Sequence, residues 1–193
     1  MNSPDSSGGH FWHWLRFTLV LTVLGGLAYP ALTTLTAGAL FPFQANGSLL
    51  VENGRVVGSA LVGQPFSGNQ FFIGRPSAAG AGYDPTAASG TNLAPSNPAL
   101  RARVRTDSAR IAEREGVSPA ELPADLLAAS GGGLDPHLSP RAAELQVPRV
   151  ARARGLSEAR VRELVARHTE TGLFGLGEPG VNVLRLNLAL EGE

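Results

Sequence analysis

The stretch SGGGLDPHLSPRAAELQVPRVARARGL, Ser130 to Leu156, decides how the second half of the chain folds. Three successive glycines, Gly131, Gly132 and Gly133, permit positive φ, Pro136 stiffens the turn, and Ser139 before Pro140 is the N-cap and N1 pair that opens a helix. Inside that helix Pro148 lacks an N–H and crowds the carbonyl of Glu144, so the spacing predicts a kink or a break. Beyond Gly155, Ser157 caps a further helix. In it Val161, Leu164, Val165 and His168 fall at i, i+3, i+4 and i+7, and the helix stops before Gly172. This stripe makes His168 a core-edge residue rather than a ligand.

Upstream, two apolar runs, Ser48 to Glu52 and Arg55 to Val62, flank Asn53-Gly54, the dipeptide suited to a type I′ hairpin. Asn97 and Pro98 open a helix that ends near Gly116, with Leu100, Val104 and Ile111 on one stripe. Downstream, Val181 to Leu190 alternates leucines against Arg185, Asn187 and Ala189, the pattern of a half-buried strand closing the chain. Residues 74–95 show no periodicity and are rich in Gly, Ser, Ala and Pro; so long a loop in a compact domain predicts a contact surface or a lid. The fold class is α+β.

At 193 residues with 43% hydrophobic and 17% charged side chains, the chain can bury a real core and carry an anchor besides. Sixteen acids balance sixteen bases, which leaves no electrostatic footprint for nucleic acid. Every base is arginine, so the chain has no lysine to serve a phosphate-binding loop and is not a self-sufficient P-loop ATPase. The lack of cysteine removes disulfides, thiolate catalysis and cysteine-based zinc sites. Only His10 and His13 among the histidines have ligand-like spacing, and no metal site is expected.

Between Arg16 and Glu52 the chain carries no charge, and Phe17 to Phe41 is long enough to span a bilayer, about 37 Å of helix against about 30 Å of hydrocarbon. Trp12 and Trp14 suit an interfacial belt, and Pro30 is tolerable in a transmembrane helix. Gly25 and Gly26, with Thr33, Thr34 and Thr36, offer the small and hydroxylated surface on which other membrane helices pack, so Gly25, Gly26 and Pro30 are interface candidates. The rival reading is a cleavable signal peptide, with Ala37-Gly38-Ala39 as the cleavage motif. Arg16 and the α-amino group lie on the short side, and nothing basic follows until Arg55, so charge favours an inside N-terminus and an outside domain. The organisation is a flank (1–16), a transmembrane helix (17–41) and one soluble domain (44–193).

Three places invite chemistry. Asp135, His137 and Ser139 are a triad by composition, but a local turn rarely brings three such side chains into a relay, and capping explains them more simply. His137 then reads as a turn or interface residue. Arg75 is either a functional charge at an interface or a loop arginine paired with a carboxylate or carbonyls. Gln146 can donate and accept at once and lies near Arg149, a pair able to touch a nucleotide phosphate or base; the alternative is a solvated helix face.

The opening stretch does not stand alone. With GQPFSGNQFFIGRPSAAG (Gly63 to Gly80), VNVLRLNLAL (Val181 to Leu190), QANGSL (Gln44 to Leu49), TNLAPSNP (Thr91 to Pro98) and the N-terminal apolar span, it resembles the KdpC family, the C subunit of the bacterial Kdp potassium-transporting ATPase, over nearly the whole chain. One departure lies in the glycine run, Ser130-Gly131-Gly132-Gly133, where the resemblance leads one to expect a second serine or similar polar residue. The resemblance implies a non-catalytic accessory subunit of the cell inner membrane. It would span the membrane once and contact lipid; the cytoplasmic N-terminus and the periplasmic or extracellular domain come from the charge bias, not from the resemblance. Its partners would be the P-type ATPase subunit and the potassium-translocating subunit. The resemblance further implies a catalytic chaperone that raises ATP affinity, binding no cofactor alone and meeting ATP in a ternary complex with the ATPase subunit. Against this stand an outward-facing structural or gating subunit without nucleotide contact, and a membrane-tethered hydrolase.

The anchor and the signal peptide differ in one measurable mass. Intact-mass analysis of the mature protein should show the N-terminal segment retained; a new N-terminus at Leu40 would overturn the anchor.

Overall fold

The computed structural model describes residues 7–172 and 176–193. The chain divides after Ser48 into an N-terminal helical unit and a compact unit from Leu49 to Glu193.

In the N-terminal unit, helix α1 (Ser7–Val23) passes into a π-helical turn (Leu24–Ala28) and then into α2 (Tyr29–Leu40), followed by the single turn α3 (Pro42–Ala45). The π turn answers Pro30. A proline inside a helix removes one rung of the ladder and crowds the carbonyl four residues back, and here the Tyr29 N–H reaches the Leu24 carbonyl five residues back instead. The apolar helix is thereby continuous from His10 to Leu40, 31 residues. It begins earlier than the Phe17 boundary read from hydropathy and takes in Trp12 and Trp14. The hydroxyls of Thr33 and Thr36 donate to carbonyls of their own helix, Tyr29 O at 3.0 Å and Leu32 O at 2.8 Å. They are satisfied without a second helix. Gly25 and Gly26 have open space where a Cβ would stand, which leaves their backbone approachable.

The second unit opens with the expected hairpin, β1 (Leu49–Glu52) and β2 (Arg55–Ser59), with Asn53 and Gly54 at φ 49° and 76°. The second strand is shorter than the apolar run suggests, because the Val62 N–H turns back onto the Ser59 carbonyl. Helix α4 (Pro98–Glu115) has the predicted caps: the Asn97 side chain accepts from Ala99 N, and Gly116 takes the left-handed conformation. After β3 (His137–Leu138) come α5 (Pro140–Arg154) and α6 (Glu158–Arg167), then β4 (Thr169–Glu170), β5 (Gly180–Asn182) and α7 (Val183–Glu191). The strands form a small antiparallel sheet in the order β3-β5-β4. Ala142, Val147 and Val150 of α5 meet Val161, Leu164 and Val165 of α6 in the core, with Val181, Leu186, Leu190 and Phe72 closing it.

Three expectations are corrected. The end of the chain is a strand only over Gly180–Asn182; from Val183 it is helix. The Asn182 carboxamide caps it by accepting from Arg185 N at 3.2 Å, and Val183, Leu186, Asn187 and Leu190 form a buried stripe at i, i+3, i+4 and i+7. Leucine is a strong helix former, so its alternation here did not carry the information it would with β-branched residues. Second, of the kink or break expected at Pro148 the break does not occur, and α5 runs unbroken through it. The core holds it on both sides of the proline, and the Glu144 side chain, beside the carbonyl that the proline frees, accepts from Arg162 of α6 at 2.6 Å. Third, only Gly133 of the glycine run has positive φ, 76°.

At Gly133 the turn interlocks with the 74–95 segment. A Cβ there would stand 2.7 Å from Ala79 N and 2.8 Å from Ser89 O. The Ser77 hydroxyl donates to Gly133 O at 2.7 Å and accepts from Tyr83 N at 2.8 Å, while Ser130 N donates to Pro76 O at 3.0 Å. The first half of the segment is thus fastened, not a free lid, and Asp84 caps a short 3₁₀ turn at Pro85–Ala87.

Gly133→Ala combines positive φ with a backbone clash, so it should cost about 2–4 kcal/mol, whereas the exposed Gly132→Ala should be nearly neutral. Thermal unfolding of the two variants side by side checks the difference; equal melting temperatures would show that the turn is not interlocked.

Candidate functional site

The segment from Asn69 to Ile73 crosses the domain without joining a sheet. It runs from exposed Asn69 and Gln70 through half-buried Phe71 to fully buried Phe72 and half-buried Ile73, against α5 and α7, and the polar backbone groups that leave water there need partners. Side chains supply them. Asn187 accepts from Phe72 N at 2.8 Å and donates to Phe72 O at 2.9 Å. Gln146 does the same at the next residue, accepting from Ile73 N at 2.9 Å and donating to Ile73 O at 3.1 Å. Two carboxamides thus imitate the neighbouring strand of a ladder.

Arg149 completes the arrangement. Its Nη1 donates to Asn69 O at 2.6 Å and Phe71 O at 2.9 Å, its Nη2 to Gln146 Oε1 at 2.8 Å, and its Nε to the Glu115 carboxylate at 2.9 Å. The Arg149 and Glu115 side chains are only 7% and 2% exposed, so this is a buried ion pair. Such a pair is sustained by the further hydrogen bonds its arginine makes. Arg154 extends the grip with Nε to Gln70 O at 2.7 Å, its guanidinium lying over the Phe71 ring. The residues singled out for nucleotide contact, Gln146 and Arg149, are therefore adjacent as expected, but turned inward onto main chain rather than outward on a solvated face.

Two concavities border the network. A cavity of about 160 Å³ between Ile73, Tyr83, Ile111, Leu126 and Gln146 is mostly apolar and falls below the roughly 300 Å³ at which ligand pockets begin. On the other side of Arg149, an open groove of about 550 Å³ is lined by Arg114, Arg149 and Arg152 and by Glu113 and Glu115. Burial lowers the pKa of Arg114, and the like charge of Arg149 adds to it. The groove mixes cations with carboxylates rather than presenting one sign.

The remaining candidates gather elsewhere. Arg75 Nη1 pairs with Asp135 Oδ2 at 2.7 Å, and Asp135 Oδ1 accepts from His137 N at 3.0 Å, so one carboxylate binds the loop to the turn. The Tyr83 hydroxyl donates to Arg75 O. Burial raises the Tyr83 pKa, the charge of Asp135 raises it further, and Arg75 opposes. The His137 ring stands half-exposed, 3.4 Å from Glu170 Oε2 and 3.8 Å from Asp135 Oδ1. Ser139 is occupied as a cap: its hydroxyl accepts from Ala142 N at 3.1 Å and its N–H donates to Asp125 at 2.8 Å. Asp135 bonds the His137 main chain and not its ring, Ser139 serves its cap, and the three form no relay. The described residues hold no group of three His, Asp or Glu placed for a metal. His168 is the C-cap of α6, its Nδ1 2.8 Å from Leu164 O. Sequence reasoning missed Asn187, Asn182, Ser77 and Glu115; the one available signal was an asparagine set among the leucines of an otherwise apolar helix face.

The family model described as "K+-transporting ATPase, c chain" (KdpC) matches residues 11–192. The chain is 60% identical over 182 residues to the potassium-transporting ATPase KdpC subunit of Sorangium cellulosum (strain So ce56), with 92% of this chain and 95% of that protein covered. To the subunit of the same name in Xanthomonas oryzae pv. oryzae (strain MAFF 311018) it is 56% identical over 174 residues, covering 89% and 82%. To that in Koribacter versatilis (strain Ellin345) it is 51% identical over 176 residues, covering 91% and 90%.

Gln146→Met keeps the volume but leaves the part-buried N–H and C=O of Ile73 and the buried Arg149 Nη2 without their partner, so it should cost about 1–3 kcal/mol, while Arg152→Ala at the exposed groove edge should stay within about 0.5 kcal/mol. Thermal unfolding reads both; an undiminished melting temperature for Gln146→Met would overturn the ladder role.

Proposed function

The chain belongs to the KdpC family, and from that premise we propose that it serves a K+-transporting ATPase as a single-span accessory subunit whose domain lies outside. The helix from His10 to Leu40 inserts in the cell inner membrane beside the P-type ATPase subunit and the potassium-translocating subunit. The Leu49–Glu193 domain braces the complex or gates access at the potassium entrance. The observation that carries this is the helix itself: 31 residues, uncharged after Arg16 and with none of its membrane-length window buried, an approachable Gly25-Gly26 surface, and no basic residue beyond Arg16 until Arg55. Arg75 and His137 then act as architecture behind the surface that meets the partners.

The family expectation of raised ATP affinity fits this placement only as coupling through the membrane helices, since ATP is cytosolic. That Gln146 and Arg149 spend their polar groups on residues 69–73 supports the indirect route. A second reading, direct nucleotide contact, is favoured by one observation, the groove lined by Arg114, Arg149 and Arg152.

A tag after Glu193 separates the two. Protease should remove it in intact spheroplasts and spare it in sealed inverted vesicles, and the tagged chain should pull down both large subunits. Cleavage only in inverted vesicles would overturn the outward placement and turn attention to the groove.

A further inference from the structure

Five large apolar side chains stand exposed among the described residues of the Leu49–Glu193 unit, and four of them belong to the β1–β2 hairpin and the turn after it: Leu49 (46%), Val51 (58%), Val56 (61%) and Leu61 (62%). Val51 and Val56 are cross-strand partners, so they share one face, and Leu49 alternates onto the same side as Val51. The other face is turned to the domain: a Cβ on Gly58 would stand 2.9 Å from the Leu184 side chain, and Gln64 donates to Val57 O. The hairpin is therefore apolar on the side it does not use for folding. At its tip, Arg55 is exposed and makes no ion pair among the described residues.

The chain leading into the hairpin narrows what can cover that face. β1 begins at Leu49, nine residues after the end of the apolar helix at Leu40. Even fully extended, that connection reaches only about 30 Å. It is wound tighter than that: Ala45 N donates to Phe41 O at 2.9 Å and Ser48 N to Phe43 O at 2.9 Å. Exposed apolar side chains continue along it, Leu40, Phe41 and Phe43 leading to Leu49. A helix of 31 residues is about 46 Å long against about 30 Å of hydrocarbon, so one or both of its ends reach the headgroup layer.

We propose that the outer face of the β1–β2 hairpin rests on the bilayer that the helix spans. Leu49, Val51, Val56 and Leu61 enter the boundary between headgroups and acyl chains, and Arg55 meets lipid phosphate. The proposal rests on reading His10 to Leu40 as a membrane anchor. Lipid fits better than a protein surface because the face is aliphatic, has no aromatic anchor, and offers its one cation at the rim, the combination of apolar area and positive charge that binds anionic lipid surfaces.

The chain has no cysteine, so single cysteines report cleanly. The full chain carrying Leu35→Cys, Val56→Cys or Arg101→Cys, each with a polarity-sensitive fluorophore, is reconstituted into phosphatidylcholine–phosphatidylglycerol vesicles containing nitroxide lipids. The label at position 56 should shift to the blue and lose intensity to headgroup nitroxides. That at exposed position 101 should stay in water and lose intensity to iodide. Adding Val51→Glu should return the position 56 label to water. Equal iodide quenching at 56 and 101 would overturn the proposal, as would shielding of 56 only after the large subunits are co-reconstituted, which would make the occupant a protein. The label at 35 tests the premise separately: if acyl-chain nitroxides do not reach it, the anchor fails and the proposal with it.

Discussion

The domain depends on a hydrogen-bonding problem. Residues 69–73 pass from the exposed surface at Asn69 to the core at Phe72 without strand neighbours, and an unpaired buried peptide group costs about 1–3 kcal/mol. Gln146 of α5 and Asn187 of α7 each bind the N–H and C=O of one residue, Ile73 and Phe72 respectively, and Arg149 and Arg154 take the carbonyls between Asn69 and Phe71. Phe72 can then be fully buried in the core. Because the partners come from different helices, the segment also ties α5 to α7, and the Arg149–Glu115 pair brings in α4. Exposed pairs such as Arg160 with Glu163 contribute little beside this.

The N-terminal unit solves a different problem with the same economy. Pro30 would leave a gap in a helix that has no protein around it, and the π turn over Leu24–Ala28 shifts the ladder by one residue so that Tyr29 finds a partner. In hydrocarbon such satisfaction has to be internal. Thr33 and Thr36 follow the same rule by bonding within their own helix. Gly25 and Gly26, with open space where a Cβ would stand, leave the backbone bare within this widened turn.

The hairpin, the Asn97 and Ser139 caps, the Gly116 and Gly155 stops and the α6 stripe were all legible, because each is a local steric or hydrogen-bonding preference spanning a few residues. The candidate site was half legible. Gln146 was recognisable as a side chain able to donate and accept at once, and it does both. Its partner lies 73 positions earlier in an irregular segment, which no pattern marks. Arg75 and Asp135 likewise announce charge without announcing each other, since they lie 60 positions apart and are brought together only by the interlock at Gly133.

The sequence by itself determined the membrane-length apolar segment, the α+β class, the family and most helix ends, since these follow from hydropathy, short-range sterics and motifs carried in order along the chain. Tertiary structure alone decided that Val183–Glu191 is a helix, that α5 survives Pro148, and that Gln146 and Arg149 face main chain instead of solvent. In each case local preference was ambiguous or adverse. Burial against segments distant in sequence settled the outcome, because the free energy of pairing and packing those groups exceeds the few tenths to few kcal/mol by which local propensities differ.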